Sequence, residues 1–375
     1  MSVESRIKRI ELYAVADDQA DTLPWAADQE PLLYTNNIAR IICDDGTEGV
    51  GATISYTEND FDKCIIEAMK NIAPGLIGRN AVNTGAIHSW LANRCNWGGL
   101  VAKSPFDIAC WDIKGRVANM PIYQMLGGCR EKMLSYASTP MFETIEDYIS
   151  FIDGCIQHGF KAIKMHCPCV FERDYKLVEA VQNHYGESGV AFMLDTAMYY
   201  NQQDALKMAK RLEEYGWTWF EAPISDYDFK GYQRLVRETN IEISSHGNCL
   251  VTLPEVAYAL ANELWSDVRQ DATVCGGITP LVKCFALAEA YGKPLEIQSW
   301  GYTITQAANL HVALAHNNCK YFEQAYPYEN FEYGAKNVIR TNREGYVTIA
   351  DAPGLGVEMD WDQVGSGAIA HYVIQ

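Results

Sequence analysis

From about residue 133 onward, short apolar strands alternate with amphipathic helices, and this rhythm restricts the fold more than any other property of the chain. A helix is expected to open at Thr144, with Asp147 three residues on as a capping-box-like pair. Ile145, Tyr148, Ile149, Ile152 and Ile156 follow helical spacing, and Gly159 stops it. A strand follows at Ala162–His166, then a helix through Leu177, Val178 and Val181 that ends at Gly186. A strand at 191–196, a helix from near Asn201 to Gly216 and a strand at 217–222 come next. Further strands are expected near 241–246, 266–272, 294–299 and 321–324. Counted from about 134 these make eight, and strand-then-helix repeats imply parallel pairing with right-handed crossovers. Eight such units favour a closed α/β barrel over an open doubly wound sheet. No GxGxxG follows a first strand, which weakens a dinucleotide-binding alternative.

The first third reads differently, as an α+β unit. Residues 6–15 are strand-like, and 38–54 form two strands turned at Asp44-Asp45-Gly46. Helices are expected at about 60–73 and 104–126, the second stopped by Gly127-Gly128. The last ~45 residues are turn-rich and strand-like, and they are placed back on the N-terminal unit. The expected division is 1–132, 133–330 and 331–375.

Lys and Arg number 30 against 48 Asp and Glu, a formal charge of −18. That balance repels phosphate backbones and anionic lipid, so nucleic-acid and membrane partners are not expected. It leaves room for an anionic substrate wherever a local cation overrides the global field. The 12 cysteines are scattered and read as reduced thiols. The N-terminus carries no apolar signal segment, and no run of 18 apolar residues exists, so a cytoplasmic chain is expected.

In barrels of this kind chemistry sits at the C-terminal ends of the strands. Those ends carry His166 (with Lys164 two residues before it), Asp195, Glu221, Asn248, Asp271, Gln298 and Glu323, spaced 23 to 29 residues apart. Unpartnered buried carboxylates are costly, so such a series points to a site rather than to packing. Asp195, Glu221 and Asn248, on three successive strands, offer only oxygen, which suits a hard dication, Mg²⁺ first. Lys164 and His166 share a face of their strand, and like-charge repulsion is expected to depress the pKa of both, leaving His166 free to act as a base. A dication with a base is what abstraction of a proton alpha to a carboxylate requires. His166-Cys167-Pro168-Cys169 resembles a soft-metal cluster, but no second Cys/His pair completes it. His88, His158 and His371 are expected to be surface or structural residues.

Several stretches resemble the enolase superfamily, mandelate racemase subgroup: SPFDIACWDIKGRVANMPIYQMLGG (104–128), GFKAIKMH (159–166), MLDTAMYYN (193–201), WFEAPI (219–224), RQDATVCGGIT (269–279), WGYTITQAANLH (300–311), YFEQAYP (321–327) and GYVTIADAPGLGVEMDWDQV (345–364). The resemblance spans nearly the whole chain. It implies a (β/α)₇β TIM-like barrel with an N-terminal α+β capping domain completed by the C-terminal segment. It also implies Mg²⁺-assisted abstraction of a proton alpha to a carboxylate. Asp195 and Glu221 match the first two metal ligands, Glu323 the acid that hydrogen-bonds the substrate carboxylate, Asp271 the aspartate of an Asp–His dyad, and Lys164 the first lysine of a K-x-K motif. Trp25 and Tyr34 belong to a stretch that the family uses as a specificity loop over the barrel mouth. The family is often assembled into homo-oligomers.

Four positions depart from the pattern. His166 stands at the second lysine, Asn248 at the third carboxylate ligand, Gln298 at the dyad histidine, and Ala197 at a common asparagine. His246, read as a one-residue insertion before Gly247, is an alternative ligand. Gln298 cannot titrate, which disfavours a racemase with a base on each face. The expectation is therefore a Mg²⁺-dependent hydro-lyase, dehydrating a small hydroxy-carboxylate, a sugar acid, to a 2-keto-3-deoxy product. The alternatives are an epimerase, racemase or lactone cycloisomerase of the same superfamily, or a catalytically reduced carboxylate-binding homologue.

Overall fold

The structure is a computed structural model that describes residues 4–17, 24–94 and 99–375. Three antiparallel strands open the chain: β1 (Ile7–Ala16), β2 (Leu33–Cys43) and β3 (Glu48–Thr57). The turn between β2 and β3 contains Gly46 at φ +85°, as the Asp-Asp-Gly signal requires. The chain then forms α1 (Cys64–Ile72), α2 (Thr84–Arg94), α3 (Ser104–Ala118) and α4 (Ile122–Met125). The single helix expected over 104–126 is thus two. Asn119 turns left-handed at φ +50° to cap α3, and Pro121 lacks the N–H to continue it.

Eight parallel strands follow: β4 (Lys132–Ser138), β5 (Ala162–His166), β6 (Ala191–Asp195), β7 (Trp219–Glu221), β8 (Glu242–Ser244), β9 (Val268–Gln270), β10 (Leu295–Ile297) and β11 (Phe322–Ala325). Their order is β8-β7-β6-β5-β4-β11-β10-β9, a nearly closed barrel with helices in its crossovers. The helix after β4 starts where its sequence says it should. The Thr144 side chain caps it by accepting the Asp147 amide, and Gly159 ends it at φ +114°. Tyr136, Met193, Trp219 and Tyr321 are buried together inside the barrel. Met193 and Trp219 precede Asp195 and Glu221 by two residues, so they fill the same face one layer deeper.

The chain end returns to the start. β12 (Tyr346–Thr348) pairs with β4, and β13 (Ala368–Ile374) adds to β1, giving a cap sheet of order β13-β1-β2-β3. Helix α3 is buried between this sheet and the barrel. A Cβ on Gly51 of β3 would lie 2.0 Å from the Pro105 carbonyl, so glycine lets strand and helix touch. Buried Asp112 accepts from the amides of Val50 and Leu355, tying α3 to β3 and the C-terminal segment. Asp107 accepts from Thr279 N at 2.9 Å, and Ser104 donates to Thr273 O at 2.7 Å, which docks α3 on the barrel. Among the described residues no helix is long and apolar enough to cross a membrane.

Candidate active site

Parallel register places the polar strand ends at one level. His166 is in register with Asp195, and Asp195 with Glu221. After β6 and β7 the backbone turns through left-handed non-glycine residues, Ala197 (φ +46°), Met198 (φ +69°) and Ala222 (φ +46°). Strained positions of this kind concentrate at functional sites. The Ala197 amide donates to Asp195 Oδ1 at 2.9 Å and fixes that carboxylate.

Lys164 lies in the middle of the cluster. Its Nζ is 3.1 Å from Asp195 Oδ2, 2.9 Å from Glu221 Oε1 and 3.1 Å from Glu323 Oε1. Arg269, on β9, reaches across: Nε is 2.8 Å from Glu221 Oε1, Nη2 donates to Glu323 Oε2 at 2.9 Å, and Nη1 donates to Tyr136 OH at 3.1 Å. His166 Nδ1 sits 2.5 Å from the Thr139 carbonyl and Nε2 3.2 Å from Asp195 Oδ2. The Ser299 amide donates to Glu323 Oε2 at 2.8 Å.

These contacts set the charges. Burial works against an ionised Asp195, but Lys164 and His166 outweigh it and hold the carboxyl well below the usual range. Glu323 is likewise disfavoured by burial, yet Arg269 and Lys164 bring it down to about 2. Glu221 behaves in the opposite sense. Burial raises it, the Asp195 and Glu323 charges add to that, and Arg269 and Lys164 do not compensate. Burial and Arg269 both disfavour the Lys164 ammonium, but Glu221, Glu323 and Asp195 prevail and raise its pKa. This corrects the depressed lysine expected from its neighbour His166: three carboxylates outweigh one imidazole.

Asn248, His246, Asp271 and Gln298 line the same cavity of about 240 Å³. Asp271 caps the short helix Ala272–Cys275 through the Thr273 amide and accepts from Asn309 Nδ2 at 2.8 Å. Burial pushes it up to about 6. His246 donates its backbone amide to Asp226 at 3.1 Å, and burial lowers its pKa.

The cap closes the mouth. Backbone bonds from Met141 N to Pro24 O and from Ala27 N to Pro168 O, both 3.1 Å, pin the Trp25 segment to the barrel loops. The Trp25 ring lies 4.7 Å from Tyr56, 5.8 Å from Trp300 and 6.0 Å from His166, centroid to centroid. Tyr34 does not line this cavity, although Trp25 and Trp300 pack against its cluster. It is the second residue of β2, and it packs with Leu32, Tyr302 and Phe331 beside a separate cavity behind Trp300. In the pairing of β2 with β3, Tyr34 stands opposite Tyr56 on the same sheet face, and its ring lies 5.2 Å from that of Phe331, centroid to centroid. Residues 18–23 of that stretch lie outside the described residues.

Arg269, Tyr56 and Trp300 also line the cavity and were not singled out from sequence. For Arg269 the signal was present, because it precedes Asp271 by two residues and so shares its strand face.

The donor set can be tested for a hard dication. Among the described residues no three His, Cys, Asp or Glu side chains converge into a metal-holding group. Asp195 and Glu221 are nevertheless adjacent, and Glu221 Oε2, His246 Nδ1 and Gln298 Oε1 are buried with no hydrogen-bond partner. A buried carboxylate oxygen without a partner is an available donor for a cation. Asp195 and Glu221 supply oxygen donors of the kind a hard dication takes, and Asn248 and His246 line the same cavity.

Comparison with known proteins bears on the family and the fold. The family described as mandelate racemase/muconate lactonizing enzyme, N-terminal domain, matches residues 34–127, and the enolase C-terminal domain-like family matches 150–363. A Pseudovibrio sp. crystal structure assigned to mandelate racemase/muconate lactonizing enzymes has 63% identity and a TM-score of 0.98, covering 99% of this chain and 100% of that one. The 3,6-anhydro-alpha-L-galactonate cycloisomerase of Streptomyces coelicolor is 30% identical, over 88% of this chain and 90% of that protein. The L-talarate/galactarate dehydratase of Salmonella typhimurium is 26% identical, over 85% of this chain and 79% of that protein. A crystal structure of that dehydratase liganded with Mg and L-lyxarohydroxamate has a TM-score of 0.87 at 23% identity, covering 99% of this chain and 95% of that one. Relatives therefore include both lyases and isomerases, and structural neighbours include Mg-liganded enzymes.

Proposed function

Since the chain belongs to the mandelate racemase/muconate lactonizing enzyme family of the enolase superfamily, we propose that it is a Mg²⁺-dependent dehydratase of a small hydroxy-carboxylate, a sugar acid. The observation that carries the dehydratase reading is one-sidedness. His166 and Lys164 come from one strand, while Gln298, which lines the same cavity and cannot titrate, stands where the family resemblance expects a second base.

Asp195, Glu221 and Asn248 would hold the metal, with His246 as the alternative third ligand. When bound, magnesium supplies positive charge against the enediolate that develops on the substrate carboxylate. The rest falls to the chain's own residues. The Thr139 carbonyl accepts the Nδ1 proton of His166, which leaves Nε2 as the atom that exchanges protons. Nε2 takes the alpha proton, the C–H electrons form a carbon–carbon double bond, and the beta C–O bond breaks. The departing hydroxide receives a proton from His166 or Lys164 and leaves as water. The enol then tautomerises to the 2-keto-3-deoxy acid. Lys164, held by three carboxylates, is an ammonium when the substrate arrives and draws in its carboxylate. Trp25 closes the mouth and limits substrate length.

An isomerase is the second reading, favoured by Asp271: its carboxyl lines the cavity and is pushed up to about 6, so it can exchange protons near neutrality. An acid-sugar library incubated with enzyme and Mg²⁺ in deuterated water separates the two. Release of a semicarbazide-reactive ketoacid supports the dehydratase. Deuterium in recovered substrate without ketoacid supports the isomerase and overturns the dehydratase. The partner is a small-molecule carboxylate, and neither nucleic acid nor membrane is proposed. Assembly is proposed to be homo-oligomeric. The free cysteines among the described residues support a cytoplasmic setting.

A further inference from the structure

Arg269 is the buried charge in the cavity for which the dehydratase scheme has no use. It is 1% exposed, its Nη atoms donate to Tyr136 and Glu323, and its Nε lies 2.8 Å from Glu221 Oε1 as an ion pair without a hydrogen bond. Glu221 is a proposed metal ligand and Glu323 lies on the substrate side, so one guanidinium spans both halves of the site. The charges can be counted. With all its carboxylates ionised, as a dication would require, the cluster of Asp195, Glu221, Glu323, Lys164 and Arg269 carries a single negative charge. A dication entering this cluster turns it to a single positive charge, which one substrate carboxylate neutralises. Asn248, standing where a third carboxylate is expected, moves the balance in the same direction as Arg269.

We infer that Arg269 is a resident counter-cation of the metal site, one that lowers the affinity for free magnesium and makes metal and substrate carboxylate bind as a pair. This rests on the magnesium reading above. Like charges in a site of low dielectric repel strongly, so a fixed guanidinium beside Glu221 weakens any dication held there. By linkage, an anion that binds with the dication recovers that loss, and each ligand tightens the other equally. Arg269 acts through Glu221 and Glu323 and is a positioning residue.

Titration calorimetry with Mg²⁺ on the full chain tests the assignment. Arg269→Gln is expected to bind Mg²⁺ about tenfold tighter than wild type or better, since one repelling charge is gone. Arg269→Lys keeps the charge and is expected to stay within about threefold of wild type. The double variant Arg269→Gln/Glu323→Gln restores the charge balance and is expected to return to wild-type affinity. A merely structural role for Arg269 would weaken binding on substitution, never tighten it. Arg269→Gln leaves two buried carboxylates short of a partner. If it does not melt cooperatively, Glu323→Gln carries the test in reverse: about tenfold weaker than wild type, with the double variant at wild-type affinity. Unchanged or weaker binding in a folded Arg269→Gln, or a double variant more than about tenfold from wild type, overturns the assignment and leaves the magnesium reading standing. No binding heat in any of these proteins overturns both.

Discussion

A glutamine at position 298 changes what the imidazole of His166 has to accomplish. With no titrating group there, proton removal and proton return both fall to the His166 side. His166→Gln is expected to lower ketoacid formation about a thousandfold, while a carboxylate ligand with Mg²⁺ still raises the melting temperature. Activity within tenfold of wild type would mean that another group is the base. Asn248 is tested separately. Asn248→Asp supplies the missing carboxylate, and calorimetry should show Mg²⁺ binding about tenfold tighter; no change would place Asn248 away from the ion. Residue by residue, the sequence disclosed what ends a strand. It put Arg269 on the strand face of Asp271 but did not disclose its partners, because which cation neutralises which acid depends on distances between strands. Tyr34 was read as part of an irregular loop, whereas it belongs to β2 and packs with Tyr302 and Phe331.

The elements themselves were largely legible, because period-two and helical spacing report directly which face is buried. The caps at Thr144, Asn201 and Gly159 were legible for the same local reason. Helix α2 was missed, since its polar and apolar residues follow no clean stripe in TGAIHSWLANR. The break at Asn119 was missed because asparagine tolerates the left-handed region only when tertiary packing selects it. Close packing between elements was also out of reach, and Gly51 shows why. Nothing in the sequence says that the Pro105 carbonyl will approach β3 so nearly. Gly51→Ala is expected to cost about 2 kcal/mol or more, seen as a lower denaturation midpoint with the same slope. A cost near zero would mean that α3 shifts freely on the cap sheet.

At the level of the whole molecule, the cap is held on the barrel by buried polar contacts as well as apolar ones, and Asp107 makes that junction sensitive to pH. Burial pushes its carboxyl from 3.8 up to about 7, against the opposing Thr279 hydrogen bonds. The folded state therefore binds its proton more tightly than the unfolded chain, and this group's contribution to stability falls as pH rises from about 4 to 7. Asp107→Asn removes the titration. The melting temperature of wild type minus that of the variant should therefore decline across that window, and a constant difference would contradict the shift. Barrel, cap and returning C-terminus together bring seven strand ends and one cap tryptophan around a single small cavity, and the account's central claim is that this cavity holds a dication beside a histidine base. A crystal structure grown with Mg²⁺ tests it most directly. The account predicts one ion bound by Asp195 and Glu221, with Asn248 or His246 as the third protein ligand and His166 Nε2 facing the open coordination side. Crystals soaked in Mg²⁺ that show no ion there, with Lys164 still bridging both carboxylates, would contradict it.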